Sequence, residues 1–140
     1  MNFRPSATTI VPVLVISPSL ESNADDLLID LQTVLIRFGG DAAFAAECAE
    51  LLEAELPAML AAMRNGFQSR SAESVSRAAH TLKGAVSNFW EQGPAKTAAR
   101  IDWLAREGQL DQARPLVDVL EHELAVLSTA LRGLRTEAAS

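Results

Sequence analysis

At 140 residues with a formal net charge of −6, the chain has the length of one domain with a real core, and its acidity argues against nucleic acid as a partner. Apolar residues make up 49% and charged residues 21%, and the only cysteine, Cys48, excludes an internal disulfide and fits a reducing cytoplasm, the expected location. No run reaches the roughly 18 apolar residues of a membrane span, so no membrane insertion is expected.

Residues 1–29 differ from the rest. They carry Pro5, Pro12 and Pro18, several serines and threonines, and the β-branched run Ile10-Val11-Pro12-Val13-Leu14-Val15-Ile16. A secretory signal fits poorly, because Arg4 is the one charge before the run and Pro12 interrupts it. The segment reads as a flexible arm or linker, with an apolar stretch available for docking. From there on β-branched residues thin out and alanine and leucine dominate, which favours helix over residues 30–136.

Five helices are predicted. The first runs from Asp30, its N-cap, to Phe38, stopped by Gly39-Gly40. The second runs from the N-cap Asp41 to about Asn65, with Gly66 beyond its end and Phe44, Cys48, Leu51, Leu52, Leu56, Met59 and Met63 as its apolar stripe. Pro57 inside it cannot donate to the carbonyl of Glu53, which predicts a bend rather than two helices. Ser71 caps the third helix, with Val75, Ala79, Leu82, Val86 and Phe89 spaced by four and three. Gly93-Pro94 opens the fourth, with proline at the first helical position, and Gly108 closes it. Asp111 caps the fifth, where Val117, Leu120, Leu124, Leu127, Leu131 and Leu134 form the seam of a bundle helix. The fold class is therefore all-α, an antiparallel four-helix bundle with a short extra N-terminal helix.

The segment Ala79-His80-Thr81-Leu82-Lys83-Gly84 stands out within the third helix. At about 100° per residue its apolar positions fall within a sector of roughly 80°, and His80 points about 140° from the sector's centre. Glu73, Ser76, Gly84 and Ser87 share that side, and Lys83 lies three residues on from His80, near enough for both to reach one bound group. Most exposed histidines are only solvated. Glycine in mid-helix, however, costs roughly 1 kcal/mol against alanine, and close approach of another molecule is one use for it. From Arg70 to Trp90 the cations Arg70, Arg77 and Lys83 face one anion, Glu73, a balance that suits an anionic phosphoryl group.

These residues resemble the signature of the histidine-containing phosphotransfer (HPt) domain family, His-x-Leu-Lys-Gly, here His80, Thr81, Leu82, Lys83 and Gly84 preceded by Ala78-Ala79. Phe38-Gly39-Gly40-Asp41, Glu55-Leu56-Pro57 and Arg106-Glu107-Gly108-Gln109-Leu110 are similar to the family's turns and its proline-bearing helix, so the likeness spans about Asp30 to Leu134. The departure is Phe89-Trp90, where the family commonly has Phe-Gly. Trp90 either packs at the bundle end or widens a docking surface.

The resemblance implies a phosphohistidine intermediate in a two-component phosphorelay of bacterial signalling. His80 would accept a phosphoryl group at Nε2 from a receiver-domain aspartate and pass it to another receiver, on a response regulator or a hybrid histidine kinase. Histidine near pH 7 supplies the neutral nitrogen nucleophile this needs. Lys83 would balance charge on the phosphoryl oxygens, Gly84 would admit the receiver, and Arg77, Ser87 and Trp90 are candidates for partner docking. No cofactor is expected, Mg²⁺ belonging to the receiver. With its glycines scattered, the chain shows no nucleotide-binding loop, so it reads as a relay intermediate and not an enzyme. It is compatible with a free-standing protein or a piece of a hybrid kinase, and the default state is a monomer. The rival readings are a non-catalytic helical adaptor that docks receivers or dimerises, and a metal site built from His80, His122 and Asp or Glu residues, for which no convincing ligand pair exists.

Overall fold

The computed structural model describes residues 13–15 and 28–139. Within the 1–29 segment, Val13–Val15 (β1) pairs antiparallel with Leu28–Asp30 (β2), Val13 opposite Asp30 and Val15 opposite Leu28. The remainder of the expected arm lies outside the described residues. Five α-helices follow: α1 Leu31–Arg37, α2 Ala42–Gln68, α3 Ala72–Val86, α4 Lys96–Arg106 and α5 Leu110–Ala139, the last running past the expected end at 136.

Short side chains fix the helix starts. The Asp30 carboxylate accepts from the Gln32 amide, that of Asp41 from the Phe44 amide, and the Ser71 hydroxyl from the Ser74 amide, each satisfying an N–H that has no partner within its helix. Three ends share one closing geometry. After α1, Gly39 N–H bonds to Ile36 and Gly40 N–H to Leu35; after α2, Arg70 bonds to Phe67 and Ser71 to Gly66; after α4, Gly108 bonds to Ala105 and Gln109 to Leu104. This is the Schellman arrangement, which needs a left-handed residue at the turn. Gly39 (φ 72°) and Gly108 (φ 76°) supply it without strain, whereas Arg70 (φ 53°) does so against its own preference.

Helix α2 continues unbroken through Pro57 and two residues past Gly66. The expected stop at Gly66 is thus wrong, because this glycine serves packing: a Cβ there would stand 2.9 Å from both Cγ2 and N of Val75 in α3. The first half of the α2 stripe is also out of phase. Ala45 and Ala49 face the core, while Phe44 and Leu51 are 50% and 65% exposed and Cys48 is half-buried at the core's edge. Alanines on several faces of the early turns leave the apolar phase ambiguous, and the small face permits closer helix approach. Phe44 keeps an edge-on contact with Phe38, 5.6 Å between ring centres.

Two other boundaries shift. Helix α3 ends at Val86, so Phe89 and Trp90 lie beyond it, both still buried. Before α4 comes a π-helical turn, Glu91–Ala95, with Pro94 inside it rather than opening an α-helix. Its missing amide hydrogen is tolerated in a first turn, where donors lack partners anyway. Helix α5 starts at Leu110, one residue before Asp111, and the Gln109 carbonyl receives the amides of Gln112 and Ala113. Asp111 therefore lies in the first turn, favourable to the helix dipole, and is not the cap.

The four long helices close a ring in which α2 packs on α3 and α5, and α4 packs on α3 and α5. Val117, Leu120, Leu124, Leu127, Leu131 and Leu134 of α5 are all buried, with Met63, Val75, Leu82 and Ile101 filling the centre. Each such leucine contributes about 1.5–3 kcal/mol by leaving water. Between helices, Arg64 pairs with Glu121, and Thr97 donates to Glu123 at 2.6 Å. No helix among the described residues is long and apolar enough to cross a membrane.

Candidate functional site

On α3 the core face carries Val75, Ala79, Leu82 and Val86, and the opposite side is left to polar groups. His80 stands on that side in mid-helix with 76% of its side chain exposed. Lys83, one turn on, is exposed, and its ammonium forms no ion pair with the described residues. Gly84 is exposed too, and a Cβ placed there would meet nothing within 4 Å. The glycine thus answers to no packing demand inside the domain. The three motif residues share one open surface over a fully packed core.

Helix α4 runs alongside α3 and adds two residues the sequence reading missed. Asp102 is only 10% exposed at its side chain; its Oδ1 accepts from the Ser76 hydroxyl at 2.5 Å and lies 3.3 Å from Arg106 Nε. Its other oxygen, Oδ2, is 3.9 Å from His80 Nδ1. Together Glu73, Ser76, Arg77, His80, Asp102 and Arg106 line a shallow open hollow of about 330 Å³. The signal was present in the sequence: Asp102 and Arg106 are spaced as a helical ion pair, and Asp102 adjoins the core position Ile101. Only the pairing of α3 with α4 shows which residue Asp102 faces.

The expected docking residues divide. Arg77 is exposed and held by Glu73 at 2.8 Å on the same helix. Ser87 is half-buried; its hydroxyl donates to the Lys83 carbonyl at 2.6 Å, and its own carbonyl accepts from Arg37 at 2.7 Å. Trp90 is 3% exposed, so it forms no docking surface. Its ring lies on Gly93, where a Cβ would come within 2.5 Å of it, and this packing is why tryptophan is held inside. His122 is exposed on α5, and no group of metal ligands occurs among the described residues.

Against protein families, the model of the Hpt domain matches residues 47–130, more than half of the chain and including every residue of the hollow. The chain belongs to the Hpt domain family. No curated protein and no solved structure matches it. Hpt domains act in two-component signalling as phosphocarrier modules rather than catalytic enzymes, and they interact with receiver domains. The four-helix ring supplies such a carrier with a rigid base under α3, with corners of four, three and three residues at the ends of α1, α2 and α4.

Proposed function

We propose that this Hpt domain carries its phosphoryl group on His80, taking it from the aspartyl phosphate of one receiver and giving it to the aspartate of another. The observation that carries this reading is the exposure of His80 at mid-α3, beside an unpaired Lys83 and an open Gly84, over a core that holds the helix still. The lone pair of a neutral Nε2 attacks phosphorus, the bond to the aspartate oxygen breaks, and the carboxylate leaves with its electrons. Return transfer reverses these bonds. Beyond the P–N bond itself, transfer of this kind rests on positioning and charge. Lys83 supplies positive charge to the phosphoryl oxygens. Gly84, one turn from His80, leaves room for the receiver's edge. The Mg²⁺ of the reaction belongs to the receiver.

The working unit is residues 30–136, placed in the cytoplasm with the receivers it serves, and Arg77 borders the docking face. The test is a transfer screen against phosphorylated receiver domains. Acid-labile phosphate on the wild type, lost in His80→Gln with helical content retained, is the expected result. Receiver binding with no label on His80 would overturn the reading in favour of a docking adaptor.

A further inference from the structure

We infer that Asp102 is the positioning residue for His80: its Oδ2 holds the imidazole in the tautomer protonated at Nδ1 and so turns the lone pair of Nε2 outward. The inference rests on His80 as the phosphoacceptor and adds a group from a different helix to it. Asp102 is almost fully buried at its side chain, in a place where an unpaired carboxylate would be costly. Both donors that hold it, the Ser76 hydroxyl and Arg106 Nε, converge on Oδ1. Oδ2 is left facing His80 Nδ1 at 3.9 Å. A carboxylate only accepts hydrogen bonds, so the one neutral imidazole form that complements it carries the proton on Nδ1.

The present separation is about 1 Å longer than an N–H···O bond. With 76% of its side chain exposed, the His80 ring is free to turn and close it in the unliganded chain. Asp102 itself cannot follow, because Ser76 one turn before His80 and Arg106 one turn after Asp102 fix it from both helices. The arrangement also fits the charge change. When the P–Nε2 bond forms and the P–O bond to the receiver aspartate breaks, the ring keeps its Nδ1 proton and becomes a cation. The fixed carboxylate opposes that charge, and no proton has to move in either direction.

The test reads the ring nitrogens before any phosphate is added. In long-range ¹H–¹⁵N spectra of the full chain, wild-type His80 shows Nδ1 protonated, and exposed His122 serves as the reference within the molecule. Asp102→Asn, which keeps size and the Ser76 contact, moves His80 toward the His122 pattern. The same substitution lowers the rate of His80 labelling by potassium phosphoramidate by about tenfold, and Asp102→Glu restores part of it. A merely structural carboxylate would lower the melting temperature and leave the nitrogen shifts alone. The inference is overturned by that outcome, or by a wild-type His80 whose tautomer matches His122. Failure of every receiver to label His80 would defeat the phosphoacceptor reading instead, with the tautomer result standing apart from it.

Discussion

Gly84 is paid for in helix stability and returns nothing to the domain's own packing, since no atom lies within reach of a Cβ there. Gly84→Ala should therefore stabilise the fold by about 1 kcal/mol, seen as a melting temperature raised by roughly 4 °C. Labelling by phosphoramidate should be unchanged, while transfer from a receiver should slow, because only the large partner feels the added methyl. A variant that is both more stable and equally fast with receivers would remove the access role. The motif residues were legible in the sequence because a period of 3.6 assigns a face to each position of a single helix. Asp102 was not, because its significance lies in what another helix brings within 4 Å, and spacing along one chain segment carries no such information. Trp90 was left between packing at the bundle end and docking for a related reason: its placement depended on where α3 ends, and the helix stops four residues short of it, which leaves the packed position.

At the level of the elements, the corners decide how the helices meet. The corner between α2 and α3 places Arg70 in a conformation that suits glycine. Arg70→Gly should stabilise the chain by about 0.5–1 kcal/mol, measurable by urea denaturation, because relief of the left-handed strain exceeds the loss of an exposed ion pair to Asp111. One turn earlier, Gly66→Ala has the opposite sign. The added methyl meets the backbone of Val75 as well as its side chain, so α2 and α3 must separate, at about 1–3 kcal/mol. The caps Asp30, Asp41 and Ser71 and the stops at Gly39 and Gly108 were readable because each is a local hydrogen-bonding demand met by neighbouring residues, whereas Gly66 answers to packing against α3 and Asp111 lies one residue inside its helix. The phase of α2 was not: with alanine on several sides, Phe44 and Ala45 offered two apolar faces, and the choice between them is made by the helices that close over it. Pro94 misled similarly, since proline marks a first turn without saying whether that turn is α or π.

For the whole molecule, α5 joins the ends of the ring by packing on both α2 and α4. Its leucine seam carries much of the core, and Leu127, fully buried, is a central member. Leu127→Ala should cost about 2–5 kcal/mol and lower the denaturant midpoint, while leaving the His80 spectrum unchanged in the molecules that remain folded. The bundle was legible from the sequence because four amphipathic stripes and short connections leave few other solutions. What lay outside that pattern, the pairing of β1 with β2, came from a stretch read as an arm or linker. The chain has no tyrosine and two tryptophans, and the fold sends them to opposite environments: Trp90 is sealed against Gly93, and Trp103, next to Asp102, is 49% exposed with Arg100 over its ring. Its intrinsic fluorescence is consequently a two-channel signal, with a blue, quencher-resistant component that reports unfolding and a red, iodide-sensitive component that reports a partner settling on α4.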